Sequence, residues 1–323
     1  AGGGGSSRRS HPAVELHSRD DGRDHIARGI CAGCRRAYLW NPAVADAVAG
    51  NGVEMMSDVA LEVRDLSVVY PRDKGKVAAL DHLSLEVPKG QFVVAIGPSG
   101  QGKSTLLKVV AGLVKPSSGS VFAHGEEVRG PSGDRGMVFQ KDTVFPWMRV
   151  KKNIGYGLRT RGLSKREQEQ GVNRYCEAVG LAHVADAWPK ELSGGMRKRV
   201  AVAAAFANDP SLLLMDEPFG SLDFVTRATL HTMLLELWQA TKKTIVFVTH
   251  DVDEALKLSD RIVVLSHGKI VDDLNIDFAR PRTDALRSDP AAIALRERLL
   301  ARLGLGSNEQ PATASHEPAE AGR

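Results

Sequence analysis

The sequence predicts an α/β fold with an antiparallel β side layer and an inserted helical subdomain. Short runs rich in β-forming residues recur along the chain, and the first of them follow one another with no helical pattern between them. The later runs alternate with helical patterns, as in an α/β core. From about Val150 to Asn208 the strand pattern stops and helical patterns replace it, which predicts the inserted subdomain.

The strand pattern occupies Val59–Tyr70, Val77–Val87, Phe92–Ile96, Met137–Gln140, Leu212–Met215, Thr244–Thr249 and Ile262–Leu265. The early runs are expected to form the antiparallel layer, and the later ones the α/β core. A further helical pattern spans about Asp289 to Leu303, and two roles stay open for it: bracing the sheet or contacting a second protomer.

The composition divides the chain into four segments. Residues 1–56 open with Gly and Ser and carry no sustained period, which predicts a disordered extension; Met55 and Met56 directly precede the first patterned segment. Residues 57–280 form the predicted main domain, with the helical subdomain at about 150–208. Residues 281–306 are a predicted C-terminal helical extension, and 307–323 a predicted disordered tail.

The chain of 323 residues has 42% apolar and 25% charged residues, typical of a soluble globular protein. Its longest unbroken apolar run, Val200–Ala207, is far shorter than the ~18 residues of a membrane span, so none is expected. The net charge of +4 is spread without a basic block and gives no reason to expect nucleic acid as a partner.

The cysteines are too few for a disulfide scaffold, so a reducing compartment is expected. Cys31-x-x-Cys34, with His25 nearby, could be half of a zinc or redox site. No second Cys pair follows and no βαβ pattern surrounds it, so the preferred interpretation is that these residues do not bind a metal.

A glycine-rich stretch follows the predicted strand Phe92–Ile96 and leads into a helical pattern from Lys103. It reads GPSGQGKST and matches G-x-x-x-x-G-K-[ST], in which backbone amides and the helix N-terminus hold phosphate oxygens. Lys103 is expected at the β/γ-phosphates, and the Ser104 hydroxyl on Mg²⁺. The predicted nucleotide-binding residues are Gly97, Pro98, Ser99, Gly100, Gln101, Gly102, Lys103, Ser104 and Thr105.

An acidic pair ends the apolar strand at Leu212–Met215. Asp216 would lie at the carboxyl edge of a parallel sheet, where it can hold Mg²⁺ directly or through water, and Glu217 would point at the γ-phosphate. Such a pair alone is more often a helix cap, but the phosphate motif upstream favours the nucleotide site. The guanine-specific N-K-x-D pattern is missing, so ATP is the expected nucleotide.

The stretch Leu192–Met196 reads L-S-G-G-M and precedes the basic triplet Arg197–Arg199, for which a solvated helix face is predicted. Here the chain resembles the ATP-binding cassette (ABC) family, whose signature is usually L-S-G-G-Q. Met196 replaces the common glutamine, and the replacement is expected to be tolerated because Ser193 and the glycine backbone make the phosphate contact. The resemblance covers about Val59 to Val271.

Further motifs occur in the family's order. Gln140 matches the Q-loop glutamine, Ser221-Leu222-Asp223 the D-loop and His250 the switch histidine, while Tyr70 sits where the family keeps an aromatic residue for adenine. Each match alone has a plainer alternative: an edge aromatic for Tyr70, a capping or core residue for His250, and a polar strand end for Gln140.

The resemblance implies roles for these residues. Glu217 would orient or deprotonate the attacking water, and His250 and Lys103 would balance developing charge. Mg²⁺ would be organised by Ser104, Gln140 and Asp216. Ser193, Gly194, Gly195 and the D-loop Asp223 would act at the ATP of a second copy, because in this family one signature closes over another copy's phosphate loop. A homodimer with two equivalent sites is therefore expected.

The family also implies partners. With no span of its own, the chain is expected to serve integral-membrane permease subunits at the cytoplasmic face of the inner membrane, with a solute-binding protein acting indirectly. Phe145, Pro146 and Trp147 follow the Q-loop glutamine; they would either pack internally or form the groove for a permease helix.

This F-P-W segment, L-S-G-G-M-R and the run Met215–Gly220 resemble the nitrate/sulfonate/taurine group of importers. The implied function is ATP-driven uptake of a small anion. Two alternatives are weighed against it: a soluble ABC ATPase acting on ribosomes or DNA, and a nucleotide-binding regulator without turnover. The first usually has paired or interrupted cassettes, and the second conflicts with intact Glu217 and His250.

Overall fold

The structure is a computed structural model that describes residues 58–72, 75–141 and 143–305. The expectations for residues 1–56, for Cys31 and Cys34, and for the tail 307–323 lie outside the described residues. The predicted fold class is confirmed: two sheets and their helices form an α/β core with an antiparallel side layer and a helical insertion.

The side layer is a four-stranded antiparallel sheet in the order β2-β1-β4-β5. Its strands are β1 (Val59–Arg72), β2 (Gly75–Pro88), β4 (Ser118–Ala123) and β5 (Glu126–Glu127). β4 was not expected, because its small polar residues carry no strand pattern. It forms through tertiary pairing with β1, and left-handed Gly119 allows a close approach, since a Cβ there would lie 2.3 Å from the Asp65 carbonyl oxygen.

The core sheet has six strands in the order β10-β9-β3-β8-β7-β6. They are β3 (Phe92–Ile96), β6 (Arg135–Val138), β7 (Leu212–Asp216), β8 (Thr244–Thr249), β9 (Arg261–Ser266) and β10 (Lys269–Asn275). All pairs are parallel except β9 with β10. The parallel strands β3, β7 and β8 are buried on both faces, which explains their continuous apolar sequences.

Two strand predictions for this sheet need correction. β10 was missed because it is a half-exposed edge strand that carries Asp272 and Asp273 in succession. The segment predicted as Met137–Gln140 begins two residues earlier, at Arg135, and Gln140 lies beyond the strand. Gln140 therefore lies in a loop, where the alternation of side chains along a strand does not fix the direction of its side chain.

Helices cover the core sheet and form the insertion. They are α1 (Lys103–Val110), α2 (Val150–Thr160), α3 (Lys165–Ala178), α4 (Gly194–Ala207), α5 (Phe224–Thr241), α6 (Val252–Leu258) and α7 (Pro290–Arg302). In β3, Phe92, Val94 and Ile96 face a core shared with the helical insertion, whereas Val93 and Ala95 face a core shared with β1, β2 and α1. None of the described helices has the length and apolar character needed to cross a membrane.

The predicted C-terminal helix is α7, and it packs on this chain's own cassette. Leu299 is fully buried, and Arg298 forms an ion pair of 2.9 Å with Asp272 of β10. Arg296 pairs with Asp253 of α6 at 2.8 Å. Of the two roles left open by the sequence, bracing the fold is therefore the one seen within the described residues.

Candidate nucleotide site

The glycine-rich loop joins the buried end of β3 to α1, and two glycines are required by close contacts. A Cβ on Gly97 would lie 2.5 Å from the Leu265 carbonyl oxygen. Gly102 has a φ of +92°, and its Cβ would lie 2.1 Å from the Ala79 carbonyl oxygen. As the N-cap of α1, Gly102 offers no side chain to the first-turn amides, so these donors can bind an anion.

Lys103 is 5% exposed and folds back over the loop. Its Nζ donates to the carbonyl oxygens of Gly97 at 2.6 Å and Pro98 at 2.9 Å. Burial lowers the pKa of Lys103, and the nearby carboxylates of Glu217 and Asp216 oppose that shift. A buried ammonium held at the loop is a ready partner for phosphate oxygens.

The other loop residues surround this ammonium. Pro98, Gln101, Ser104 and Thr105 are half-buried, whereas Ser99 and Gly100 are exposed. The Gln101 side-chain carbonyl accepts a hydrogen bond from the His267 amide, which ties the loop to the β9–β10 turn. The loop is thus fixed at both its first glycine and its middle.

Ser104 and Asp216 meet although 112 residues separate them. The Ser104 Oγ donates to Oδ1 of Asp216 at 2.8 Å, and Asp216, at the end of β7, is 7% exposed. Burial raises the pKa of Asp216, and the Ser104 hydrogen bond partly offsets the rise. A hydroxyl beside a carboxylate is an oxygen donor set that fits Mg²⁺.

The three residues predicted to be catalytic converge on one oxygen. Oε2 of Glu217 lies 3.2 Å from Nδ1 of His250, and the Gln140 Nε2 donates to it at 3.3 Å. Glu217 follows β7 with a left-handed φ of +41°, and its amide donates to the Val248 carbonyl of β8 at 3.0 Å. The Glu217 side chain is 16% exposed, so it borders solvent where a water could be oriented.

The structure brings Gln140 to Glu217 rather than to the serine–aspartate pair. Within the described ranges, no hydrogen bond joins Gln140 to Ser104 or Asp216. The contact with Glu217 uses the side-chain nitrogen Nε2 of Gln140, and the side-chain oxygen Oε1 is the atom that could bind a metal. The role of Gln140 as a metal ligand stays a prediction.

The signature segment forms the N-terminus of α4, away from those contacts. Ser193 caps α4 by accepting from the Met196 amide at 3.2 Å. A Cβ on Gly195 would lie 2.5 Å from Cγ2 of Thr226, so this glycine allows α4 to approach α5. Gly194 is half-buried, and a Cβ there would make ordinary contacts of 3.9 Å with the Arg197 and Leu222 side chains. Among the described residues, no hydrogen bond joins Ser193, Gly194 or Gly195 to the glycine-rich loop of the same chain.

The D-loop aspartate Asp223 caps the neighbouring helix α5. Its Oδ1 accepts from the Thr226 amide at 3.0 Å, and this hydrogen bond lowers the pKa of Asp223. The signature segment and the D-loop therefore meet at Thr226, which touches Gly195 and is held by Asp223.

Tyr70 lies near the end of the β1–β2 hairpin and is 38% exposed. It pairs with Val77 of β2, two residues before Ala79, whose carbonyl faces Gly102. The hairpin end thus adjoins the glycine-rich loop, where an exposed ring can stack on a base. Its stacking role remains a prediction.

Two residues that support the site were missed by sequence analysis. Lys198 is 3% exposed and donates to the Gln140 carbonyl at 2.6 Å, so the predicted solvated face of the basic triplet is wrong at this position. Arg227 of α5 donates to the Leu222 carbonyl of the D-loop at 2.9 Å and to Asp251 at 3.1 Å. The only sequence signal for Arg227 is its place four residues after Asp223.

The loop at the carboxyl edge of the parallel sheet and the serine–aspartate pair define a phosphate-loop nucleotide-binding protein. A sequence profile described as ABC transporter matches residues 80–220. An uncharacterized ABC transporter ATP-binding protein of Methanocaldococcus jannaschii is 48% identical over 69% of this chain and 85% of its own length.

Other relatives carry functional names. The nitrate import ATP-binding protein NrtD of Synechocystis sp. is 45% identical over 68% of this chain and 83% of its own length. The taurine import ATP-binding protein TauB of Rhizobium johnstonii is 41% identical over 75% of this chain and 96% of its own length. A dimeric bacterial ABC transporter cassette of known structure superposes with a TM-score of 0.62 at 29% identity, covering 68% of this chain and all of that one.

The chain belongs to the ATP-binding proteins of ABC transporters, in the group that includes the nitrate and taurine import proteins. It binds ATP and is an ATPase. The resemblance read from the sequence is thereby confirmed.

Proposed function

We propose that this chain is the ATP-hydrolysing subunit of an importer for a small anion of the nitrate, sulfonate or taurine type. The observation that carries the proposal is the convergence of Gln140, Glu217 and His250 beside the glycine-rich loop. The names of the relatives support a transport role rather than work on ribosomes or DNA. The solute itself would be recognised by partner subunits.

The proposed reaction is attack of water on the γ-phosphorus of ATP. Glu217 orients the water and takes its proton, and Lys103 and His250 balance the charge that develops on the phosphate. Ser104 and Asp216 would hold Mg²⁺, with the side-chain oxygen of Gln140 as a third donor. The bound ion would neutralise phosphate charge. Most of the acceleration comes from positioning these groups before reaction.

The proposed assembly is a homodimer in which each copy completes the other's site. The lack of a hydrogen bond between the signature segment and the glycine-rich loop of the same chain, among the described residues, supports it, because Ser193, Gly194, Gly195 and Asp223 would then act at the phosphate of a second copy. A related cassette has been solved as a dimer with ADP and phosphate, at 28% identity and a TM-score of 0.61. Tyr70 would stack on the adenine.

The proposed location is the cytoplasmic face of the membrane, bound to permease subunits that receive solute from a binding protein. Support comes from the aromatic cluster of Phe145, Trp147 and Tyr156. Trp147 is 68% exposed, so the alternative of complete internal packing fails for this residue. An exposed aromatic beside Gln140 suits a permease helix whose movement must reach the ATP site.

The decisive experiment replaces the proposed base. Glu217→Gln is expected to bind ATP but to release phosphate at least about 100-fold more slowly, because the amide cannot accept the proton. ATP binding and phosphate release are measured on the same purified protein, with Glu236→Gln on the exposed side of α5 as the matched control. Turnover at the wild-type rate would remove Glu217 from this role.

A further inference from the structure

A cavity of about 560 Å³ lies between α5, α6, the 3₁₀ turn Asp284–Ser288 and α7. Its volume falls within the range of small-molecule binding sites, about 300–1,000 Å³. The glycine-rich loop, Asp216, Glu217 and His250 do not line it, so it is separate from the nucleotide site. We call it the C-terminal cavity.

One part of its wall is apolar and open to solvent. Phe224 of α5 is 62% exposed and Ile293 of α7 is 42% exposed. Leu256 and Leu286 continue this surface between the helices. An apolar group that covered these side chains would remove hydrocarbon surface from water, which favours binding.

Most of the carboxylates in the lining already have partners. Asp251 pairs with Arg227 at 3.1 Å, and Asp253 pairs with Arg296 at 2.8 Å. Glu254 is 5% exposed and meets the buried His231 at 2.6 Å.

Two cations of the lining are left without such a partner. Among the described residues, neither Lys257 nor Arg287 forms an ion pair, and the Arg287 guanidinium lies over the Phe224 ring at 5.4 Å. Glu297 is the one lining carboxylate that has no ion pair in this part of the chain. The unpaired charges therefore favour an anion.

We propose that the C-terminal cavity binds a small organic anion with an apolar body. The apolar part covers Phe224 and Ile293, and the anionic group contacts Lys257 and Arg287. An organic anion of this kind can contact both the apolar and the cationic side chains of the lining. A neutral apolar ligand would contact the apolar side chains only.

Occupancy of the cavity is expected to lower the rate of ATP hydrolysis, because one wall reaches the nucleotide site. Arg227 lines the cavity, holds the D-loop through the Leu222 carbonyl and pairs with Asp251, which directly follows His250. Its Nε is a buried donor with no acceptor in the described part of the chain. An anion held by Lys257 and Arg287 lies in the same cavity as Arg227, and a shift of that guanidinium away from Asp251 releases the segment that carries His250.

The test compares two fluorescent probes of similar shape on the full chain. The anion 8-anilinonaphthalene-1-sulfonate is expected to bind the cavity more tightly than neutral N-phenyl-1-naphthylamine. Lys257→Gln with Arg287→Gln should weaken the anion about tenfold and leave the neutral probe unchanged. Glu297→Gln should tighten the anion, and Ala228→Trp, which fills the cavity, should weaken both probes.

Controls separate this site from other surfaces. Trp147→Ser removes an exposed aromatic side chain that does not line the cavity and should leave anion affinity unchanged, and every variant should bind ATP like the wild type. The proposal is overturned if the Lys257→Gln, Arg287→Gln protein binds the anionic probe as tightly as the wild type does. It is also overturned if the wild type binds the neutral probe as tightly as the anionic one. Tighter binding in a chain ending at Leu305 would identify the chain's own C-terminal segment as the occupant and also overturn it.

The effect on hydrolysis has its own measurement. Saturating anionic probe should lower the phosphate-release rate of the wild type at least twofold and leave the rate of the Lys257→Gln, Arg287→Gln protein unchanged. An unchanged wild-type rate overturns the coupling to the nucleotide site. Because probe affinity is measured without hydrolysis, failure of this inference is distinguishable from failure of the proposed ATPase mechanism.

Discussion

At the scale of single residues, the site holds charged groups that are costly to bury. Asp216 is almost fully buried, and its raised pKa reports that the ionised form is disfavoured there. Lys103 shows the opposite shift for the same reason. A cation bound beside Asp216 and a phosphate bound beside Lys103 would offset the cost of burying both charges.

Replacement of Asp216 is therefore expected to separate stability from activity. Asp216→Asn keeps an acceptor for Ser104 but carries no charge, so the protein without nucleotide should melt at a higher temperature, while phosphate release falls roughly 100-fold or more. The raised folded-state pKa means that the gain is absent below the ordinary aspartate pKa and complete above the folded-state value.

Differential scanning calorimetry across this pH window, with phosphate-release assays, tests the prediction. The control is Asp186→Asn, an exposed aspartate whose pKa is lowered by its hydrogen bond to Lys151 and whose replacement should not stabilise. A lower melting temperature for Asp216→Asn at neutral pH would contradict the argument.

At the scale of elements, the loops of the site are held by neighbouring helices. Arg227 of α5 connects the D-loop carbonyl of Leu222 with Asp251 at the start of α6. Asp251 in turn caps α6 by accepting from the Glu254 amide at 3.1 Å. One guanidinium thus fixes both the D-loop and the segment after His250, which a lysine ammonium cannot do in the same geometry.

Arg227→Lys is expected to lower the rate of ATP hydrolysis by about ten- to a hundredfold, because small displacements of positioned groups are costly. ATP affinity should change little, since the Arg227 side chain forms no hydrogen bond with the glycine-rich loop or Asp216 among the described residues. Single-turnover hydrolysis and ATP binding are compared with Arg166→Lys on the exposed surface of α3. Equal loss of ATP affinity would indicate general damage instead of positioning.

The aromatic cluster belongs to the same scale. Buried Asn153 of α2 holds it by accepting from the Phe145 amide at 2.7 Å and donating to the Met148 carbonyl at 2.9 Å. Trp147 is thereby presented on the surface, where its ring lies 5.5 Å from the Phe145 ring.

Trp147→Ala is expected to weaken association with permease subunits at least tenfold, because large aromatic anchors dominate binding surfaces. Hydrolysis by the isolated chain should be unchanged, since Trp147 makes no contact with the nucleotide site. Co-purification from membranes is the measurement, and Tyr70→Ala, on the β1–β2 hairpin, is the control for loss of an exposed aromatic. Normal association would move the docking surface elsewhere.

At the largest scale, the proposed assembly divides the nucleotide site between two parts of the described chain. The glycine-rich loop with Glu217 and His250 forms one, and the starts of α4 and α5 form the other. If two copies combine these parts, a variant with a defective glycine-rich loop and a variant with a defective signature segment should together restore ATP hydrolysis.

A mixture of Lys103→Ala and Ser193→Arg proteins tests this arrangement. Each variant alone should be inactive, but an equal mixture should recover about a quarter of the wild-type rate, because about half of the dimers are mixed and each has one complete site. Phosphate release is measured before and after mixing, with two copies of the same variant as control. No recovery would contradict a site shared between copies.

Much of the site could be predicted because its motifs are local. Gly97–Thr105, Asp216–Glu217 and the signature segment each sit at the junction of a strand or loop with a helix, where backbone geometry restricts the residue types. β4 could not be predicted because it is defined by pairing with the distant strand β1, and β10 could not because it is a half-exposed edge strand that carries two aspartates. Burial of Lys198 was missed because its acceptor is a backbone carbonyl, which leaves no mark in the sequence.

The fold class, the phosphate-binding loop and the family can be inferred from the amino-acid sequence alone, because they depend on periodicity and on spacings within short segments. Folding is needed to bring Gln140 and His250 to one oxygen of Glu217, and to form the cavity that α7 lines with α5 and α6. Contacts between elements depend on the packing of distant side chains, and no local pattern encodes that packing.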